Sequence, residues 1–118
     1  MLERPDAAGL LETARDVLLR ELLQHLPESK KFEARMVANA MAIARREVAA
    51  DAAPALARLR ELLASPGAEP DALLRRFAAE IRAGGRDPGT PGHAPAAEAL
   101  AGLTRLRCAV SNPRALGR

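Results

Sequence analysis

Few residues of this 118-residue chain have the type and spacing to do chemistry. Gly84 and Gly89 stand at the spacing of the first half of a phosphate-binding loop, in which backbone N–H groups cradle phosphate and a lysine neutralises it. Thr90 occupies the lysine position, and Pro88 and Pro91 remove N–H donors, so the stretch reads as a flexible linker. His25 and His93 lie in different segments without a further His or Cys at ligand spacing, and a metal site needs three or four converging ligands. Cys108 has no neighbouring base to make it a nucleophile, and Ser29, Ser65 and Ser111 lie outside any nucleophile elbow. Glu33 and Glu47 are nearly four helical turns apart, too far for paired acid–base work on one helix. The expectation is a protein with no catalytic residue, no cofactor and no metal, and not an enzyme.

One polar group stands out. Asn39 sits at the centre of an uncharged run from Met36 to Ala44, and Arg35 and Arg46 fall within about 40° of it on a helical wheel, with Glu47 about 80° away. This ridge has two readings. In one, Asn39 bonds to a neighbouring helix backbone and an arginine pairs with Glu47 or another acid, as a buried position demands. In the other, the ridge contacts a ligand or partner.

These residues need a scaffold, and composition dictates its kind. The chain carries 27 Ala and 18 Leu against two aromatics, Phe32 and Phe77, which favours helix over strand. Helix signals predict a first helix from about Asp6 to His25, with Leu11, Leu18 and Leu22 on one line, Ala14 and Leu26 flanking it, and Leu19 and Leu23 widening the stripe. A second spans about Ser29 to Ala50, with Phe32, Met36 and Ile43 on one face and Val37, Met41 and Val48 nearly opposite. A helix apolar on two sides is either buried within a bundle or buries one face at home and one against another chain.

A third helix follows from Asp51 and Pro54 to Ser65, lined by Leu56, Leu59 and Leu63. A fourth from about Pro70 to Ala83 is expected to bury Leu74, Phe77, Ala78 and Ile81, with Gly84 ending it. A mobile connection to Pro95 precedes a last helix from about Ala96 to Ser111, with a stripe of Ala96, Ala99, Leu100, Leu103, Leu106 and Val110, stopped by Asn112 and Pro113. The expected fold is all-α, a single domain over residues 1–118 forming a bundle of four to five helices around a central second helix, with a flexible Gly/Pro loop at about 84–95.

The net charge of +3 divides into −1 over residues 1–70 (ten basic, eleven acidic) and +4 over 71–118 (eight basic, four acidic). Without a concentrated basic face or stacking aromatics, nucleic acid is not an expected partner. The longest uncharged stretch, ten residues from Pro88 to Ala97, falls short of the roughly 20 apolar residues of a membrane span. A lone cysteine and a charged amino-terminal segment point to the cytoplasm.

The segment Glu33, Ala34, Arg35, Met36, Val37, Ala38, Asn39, Ala40 with Arg46 and Glu47, the stretch Ile81 to Gly84, and the ending Val110, Ser111, Asn112, Pro113, Arg114 resemble a bacterial family of small helical proteins known as a domain of unknown function. Members of that family tend to be encoded beside kinases of the aminoglycoside phosphotransferase type and acyl-CoA dehydrogenases, and in levulinate-type acid catabolism such a small protein accompanies the kinase acting on 4-hydroxyacyl-CoA. The Gly and Pro loop from Gly85 to Pro95, and Ala115 in place of an aromatic, depart from its pattern. The resemblance implies a non-catalytic companion subunit of such a kinase, with Arg35, Asn39, Arg46, Glu47, Asn112 and Pro113 as candidate contacts. Two other readings of the residues stand beside it. One is a self-associating helical module closing a homo-oligomer, and the other is an acyl-CoA- or anion-binding bundle in which Arg35 and Arg46 hold a phosphate or carboxylate.

Overall fold

The computed structural model describes residues 4–117, which form five α-helices and, among the described residues, no strand. Two compact units result: residues up to Ala50 together with those from Cys108 onward, and residues Asp51–Arg107.

In the first unit, α1 (Ala7–Val17) starts where Asp6 accepts a hydrogen bond from the Gly9 N–H at 2.9 Å, capping a donor that the helix leaves unpaired. The chain stays helical to His25 but changes pitch, through a π turn at Leu18–Leu22 and a 3-10 turn at Leu23–His25. A π turn closes i to i+5, so it rotates later side chains away from the line that an ideal helix would continue. Leu11 and Leu18 are half-buried as expected, but Leu22 is turned out to 52% exposure.

After Pro27, α2 (Glu28–Ala49) returns to pack along α1. Its buried residues are Ala34 and Ala38, one turn apart, small enough for the two backbones to approach. Arg15 of α1 donates to the Ala38 carbonyl at 3.1 Å, and Arg45 of α2 pairs with Glu12 of α1 at 3.3 Å.

The second unit holds the larger core. It contains α3 (Ala53–Leu62), α4 (Pro70–Arg82) and α5 (His93–Ser111) as far as Arg107. Asp51 accepts from the Ala53 N–H at 3.0 Å at the entry to α3. Leu59, Leu63, Leu73, Phe77, Ala96 and Ala99 form one buried cluster, with Leu62, Ala68 and Leu103 against it. The face of α4 is rotated from the expected one. Leu73 and Phe77 are buried, whereas Leu74 and Ile81 remain 43% and 38% exposed, because the cluster recruits the 73/77 line and leaves the adjacent line outside. Leu100, expected on the buried stripe of α5, is 49% exposed for the same reason: Ala96 and Ala99 face the cluster.

Between α4 and α5, Gly84 terminates α4 as the sequence requires. It adopts a left-handed φ of 83°, its N–H bonds to Ile81 at 3.1 Å, and the Gly85 N–H bonds to Glu80 at 3.1 Å, which together satisfy two of the orphan carbonyls of the helix end. The connection ends at Gly92, earlier than expected, since α5 starts at His93 with Pro95 in its first turn, where a missing N–H costs nothing. Arg86 reaches Glu80 and the Gly92 carbonyl, each at 3.4 Å, and His93 Nδ1 lies 3.1 Å from the Arg86 carbonyl. A Cβ on Gly92 would stand 2.8 Å from the Gly85 carbonyl oxygen, so the close approach of these backbones depends on glycine.

Candidate functional site

The most distinctive surface belongs to α2. At about 100° per residue, Ala34, Ala38 and Arg45 cluster on the side that meets α1, and Phe32, Met36, Asn39 and Ile43 lie roughly opposite. Exposure follows that geometry: Phe32 is 71% and Met36 55% exposed, and Val37 and Val48 on the flank are 50% and 55% exposed. Of the two readings of a helix apolar on both sides, α2 therefore packs one side at home and leaves the other outside. The chain's two aromatics are treated in opposite ways, since Phe77 is 3% exposed in the second unit's core. An exposed Phe beside a Met on a rigid helix is the composition of the central part of a protein interface.

The candidate residues divide in this frame. Asn39 is exposed, so the burial that would demand a backbone partner does not apply to it. Arg35 and Glu47 are exposed as well. Arg46 is half-buried, and its Nε donates to the carbonyl of Val110 at 2.6 Å rather than pairing with Glu47. That bond ties α2 to the last turn of α5 within the first unit. Arg35 and Arg46 are about 16 Å apart along the helix axis, so they do not converge on one small anion. Arg46 instead lines a polar cleft of about 250 Å³ with Arg15, Arg45, Glu12 and Asp16, in which Glu12 already pairs with Arg45.

Asn112 and Pro113 take part in ending α5. The Asn112 N–H bonds to Cys108 at 2.9 Å, its carbonyl accepts from Ala115 at 3.0 Å, and Pro113 opens a 3-10 turn, Pro113–Leu116. Sequence reasoning placed Phe32 and Met36 on one face without ranking them among the contacts. The signal was the rarity of aromatics in the chain, which makes an aromatic on a charge-flanked helix informative.

At the start of α2, the Lys31 ammonium donates to Glu28 at 2.7 Å and holds its carboxyl below the ordinary glutamate range, with Arg35 adding to the effect. Among the described residues no three His, Cys, Asp or Glu side chains gather as metal ligands, and no helix is long and apolar enough to cross a membrane. Cys108 is half-buried as a free thiol.

No curated protein and no solved structure matches the chain significantly. Residues 24–115, which take in α2, the buried cluster of the second unit and the Asn112–Pro113 stop, match the domain of unknown function DUF6285, and the chain belongs to that family.

Proposed function

We propose that the protein is a non-catalytic companion subunit, docking through the outward face of α2 onto a phosphotransferase-type kinase of hydroxyacyl-CoA or related organic-acid catabolism. The observation that carries the docking reading is Phe32, an aromatic held at 71% exposure on a 22-residue helix beside the exposed Met36. Such a pair removes little area from water within the chain and offers a rigid apolar anchor to a partner. Asn39 and Arg35 border it and supply the polar rim that fixes register at such a surface. The kinase as occupant is what the resemblance of the α2 segment and of the Asn112–Pro113 ending implies.

Tagged protein at native expression in its own host should copurify with the kinase, and a Phe32→Ser/Met36→Ser double variant should lose it while keeping its helical circular dichroism. Repeated recovery of the parent chain with no kinase would sink the proposal. Sedimentation at several concentrations separates the alternative: a dimer abolished by the same double variant assigns the face to a second copy of the chain instead.

A further inference from the structure

The seam between α1 and α2 holds a group of charges that docking on the outward face of α2 leaves unused. Arg15 reaches it from α1, Arg45 and Arg46 reach it from α2, and Ala42, one helical turn before those two, contributes only a methyl, which leaves room for a polar cleft of about 250 Å³. Glu12 and Asp16, one turn apart on α1, set two negative charges against the three positive ones. A cleft of that volume holds a phosphate-sized ion together with several waters, at roughly 30 Å³ for each water.

Most of the donors in this cleft have no partner within the chain. Arg15 gives its Nε–H to the Ala38 carbonyl at 3.1 Å, and Arg46 gives its Nε–H to the Val110 carbonyl at 2.6 Å. Because a guanidinium carries its N–H donors on three nitrogens, these bonds anchor both head groups and leave the terminal nitrogens of each without a partner among the described residues. Arg45 is engaged through one terminal nitrogen by Glu12 at 3.3 Å. Asp16 is half-buried, as Arg15 and Arg46 are, and neither an ion pair nor a hydrogen bond joins it to another described residue. The cleft therefore presents two anchored guanidinium groups and one carboxylate, all with hydrogen-bonding capacity left over.

We infer that this cleft binds hydrogen phosphate, its oxygens on the terminal N–H groups of Arg15 and Arg46 and its P–OH donated to Asp16. Guanidinium groups offer paired N–H donors that match the oxygens of a tetrahedral oxyanion. An ionised aspartate can only accept, so it repels an oxyanion that has no proton and bonds one that carries an O–H. Sulfate has the shape of phosphate but no proton to give at neutral pH. Asp16 thus turns a general anion cleft into one that selects phosphate, and it disfavours an ionised carboxylate ligand on the same ground.

Isothermal titration of the full chain with inorganic phosphate, sulfate and methyl phosphate, at constant ionic strength and about pH 7.5, tests the site. We expect one-to-one binding of phosphate, about tenfold or more tighter than sulfate. Methyl phosphate, whose second proton leaves near pH ~6, should bind like sulfate, which separates the free ion from a phosphate ester. Asp16→Asn exchanges the acceptor for an amide that also donates, and should bring sulfate within about twofold of phosphate with unchanged circular dichroism. Arg15→Gln should weaken phosphate about tenfold or more. Absence of saturable heat with phosphate overturns the inference, as does sulfate or methyl phosphate bound as tightly as phosphate by the parent chain. A preference for phosphate that survives Asp16→Asn, or phosphate affinity untouched by Arg15→Gln, overturns it equally.

Discussion

The contrast between the two phenylalanines makes a quantitative prediction. A phenylalanine buries on the order of 200 Å² when fully enclosed. At 71% exposure, Phe32 has only about 60 Å² covered within the chain, worth at most about 1.5 kcal/mol at ~25 cal/mol per Å². Phe32→Ala keeps part of that contact and gains roughly 0.5 kcal/mol of helix propensity. Folding stability should therefore change by less than about 1 kcal/mol, close to the scatter of surface substitutions.

The remaining ~140 Å² is available to a partner and would contribute about 3.5 kcal/mol on complete burial. A loss of about 2 kcal/mol or more on truncation is the behaviour of an interface hot spot, and it corresponds to roughly a thirtyfold weaker complex. Phe77→Ala supplies the internal comparison: at 3% exposure it should cost about 3–5 kcal/mol of folding. Urea denaturation measures the first effect and a titrated pull-down against the copurified partner the second. A Phe32→Ala protein destabilised as much as Phe77→Ala would show that Phe32 is structural. A stable Phe32→Ala protein whose complex is weakened less than threefold would show that the partner sits elsewhere.

Other substitutions probe features of each unit. Leu59→Ala, at a position with 0% exposure, should lower stability by about 2.7–5 kcal/mol in denaturant titration. Gly92→Ala must displace the Gly85 carbonyl 2.8 Å away, and a loss of about 1–3 kcal/mol with a lowered Tm is expected. Arg46→Met removes the bond to the Val110 carbonyl and should cost about 1–3 kcal/mol, with faster amide exchange in the last turn of α5. Glu28 should titrate below an ordinary glutamate by carboxyl NMR and return toward it in Lys31→Ala. Because its folded pKa is lowered, its contribution to stability is full at neutral pH and disappears as the pH falls through that lowered value.

Helix ends were legible because they are local. Asp6 caps α1 with its own side chain, Gly84 can take the left-handed turn, and Asn112 followed by proline cannot continue a helix. Helix faces were less legible, because each is chosen by what packs against it. Periodicity on α4 fits the 74/81 line as well as the 73/77 line, and contact with Leu59, Leu63 and the α5 alanines selects the latter. The π turn at Leu18–Leu22 has no Pro or Gly to announce it, so the outward rotation of Leu22 was invisible.

The candidate site was half legible. The wheel placed Phe32 and Met36 together and showed α2 to be apolar on opposite sides, but polarity drew attention to Asn39 and Arg46. Asn39 is exposed, and Arg46 is engaged by a carbonyl 64 residues away, which no local pattern encodes.

The alanine ridge of α2 has a consequence for how this protein can change over time. Alanine has no side-chain rotamers to freeze, so the contact of Ala34 and Ala38 with α1 specifies the hairpin at no cost in side-chain entropy, and it tolerates no enlargement. The opposite side of the same helix carries no such constraint, since Phe32 and Met36 support little of the hairpin. One helix thus separates residues that hold its shape from residues free to vary, and the outward positions can be exchanged while the inward pair keeps the scaffold.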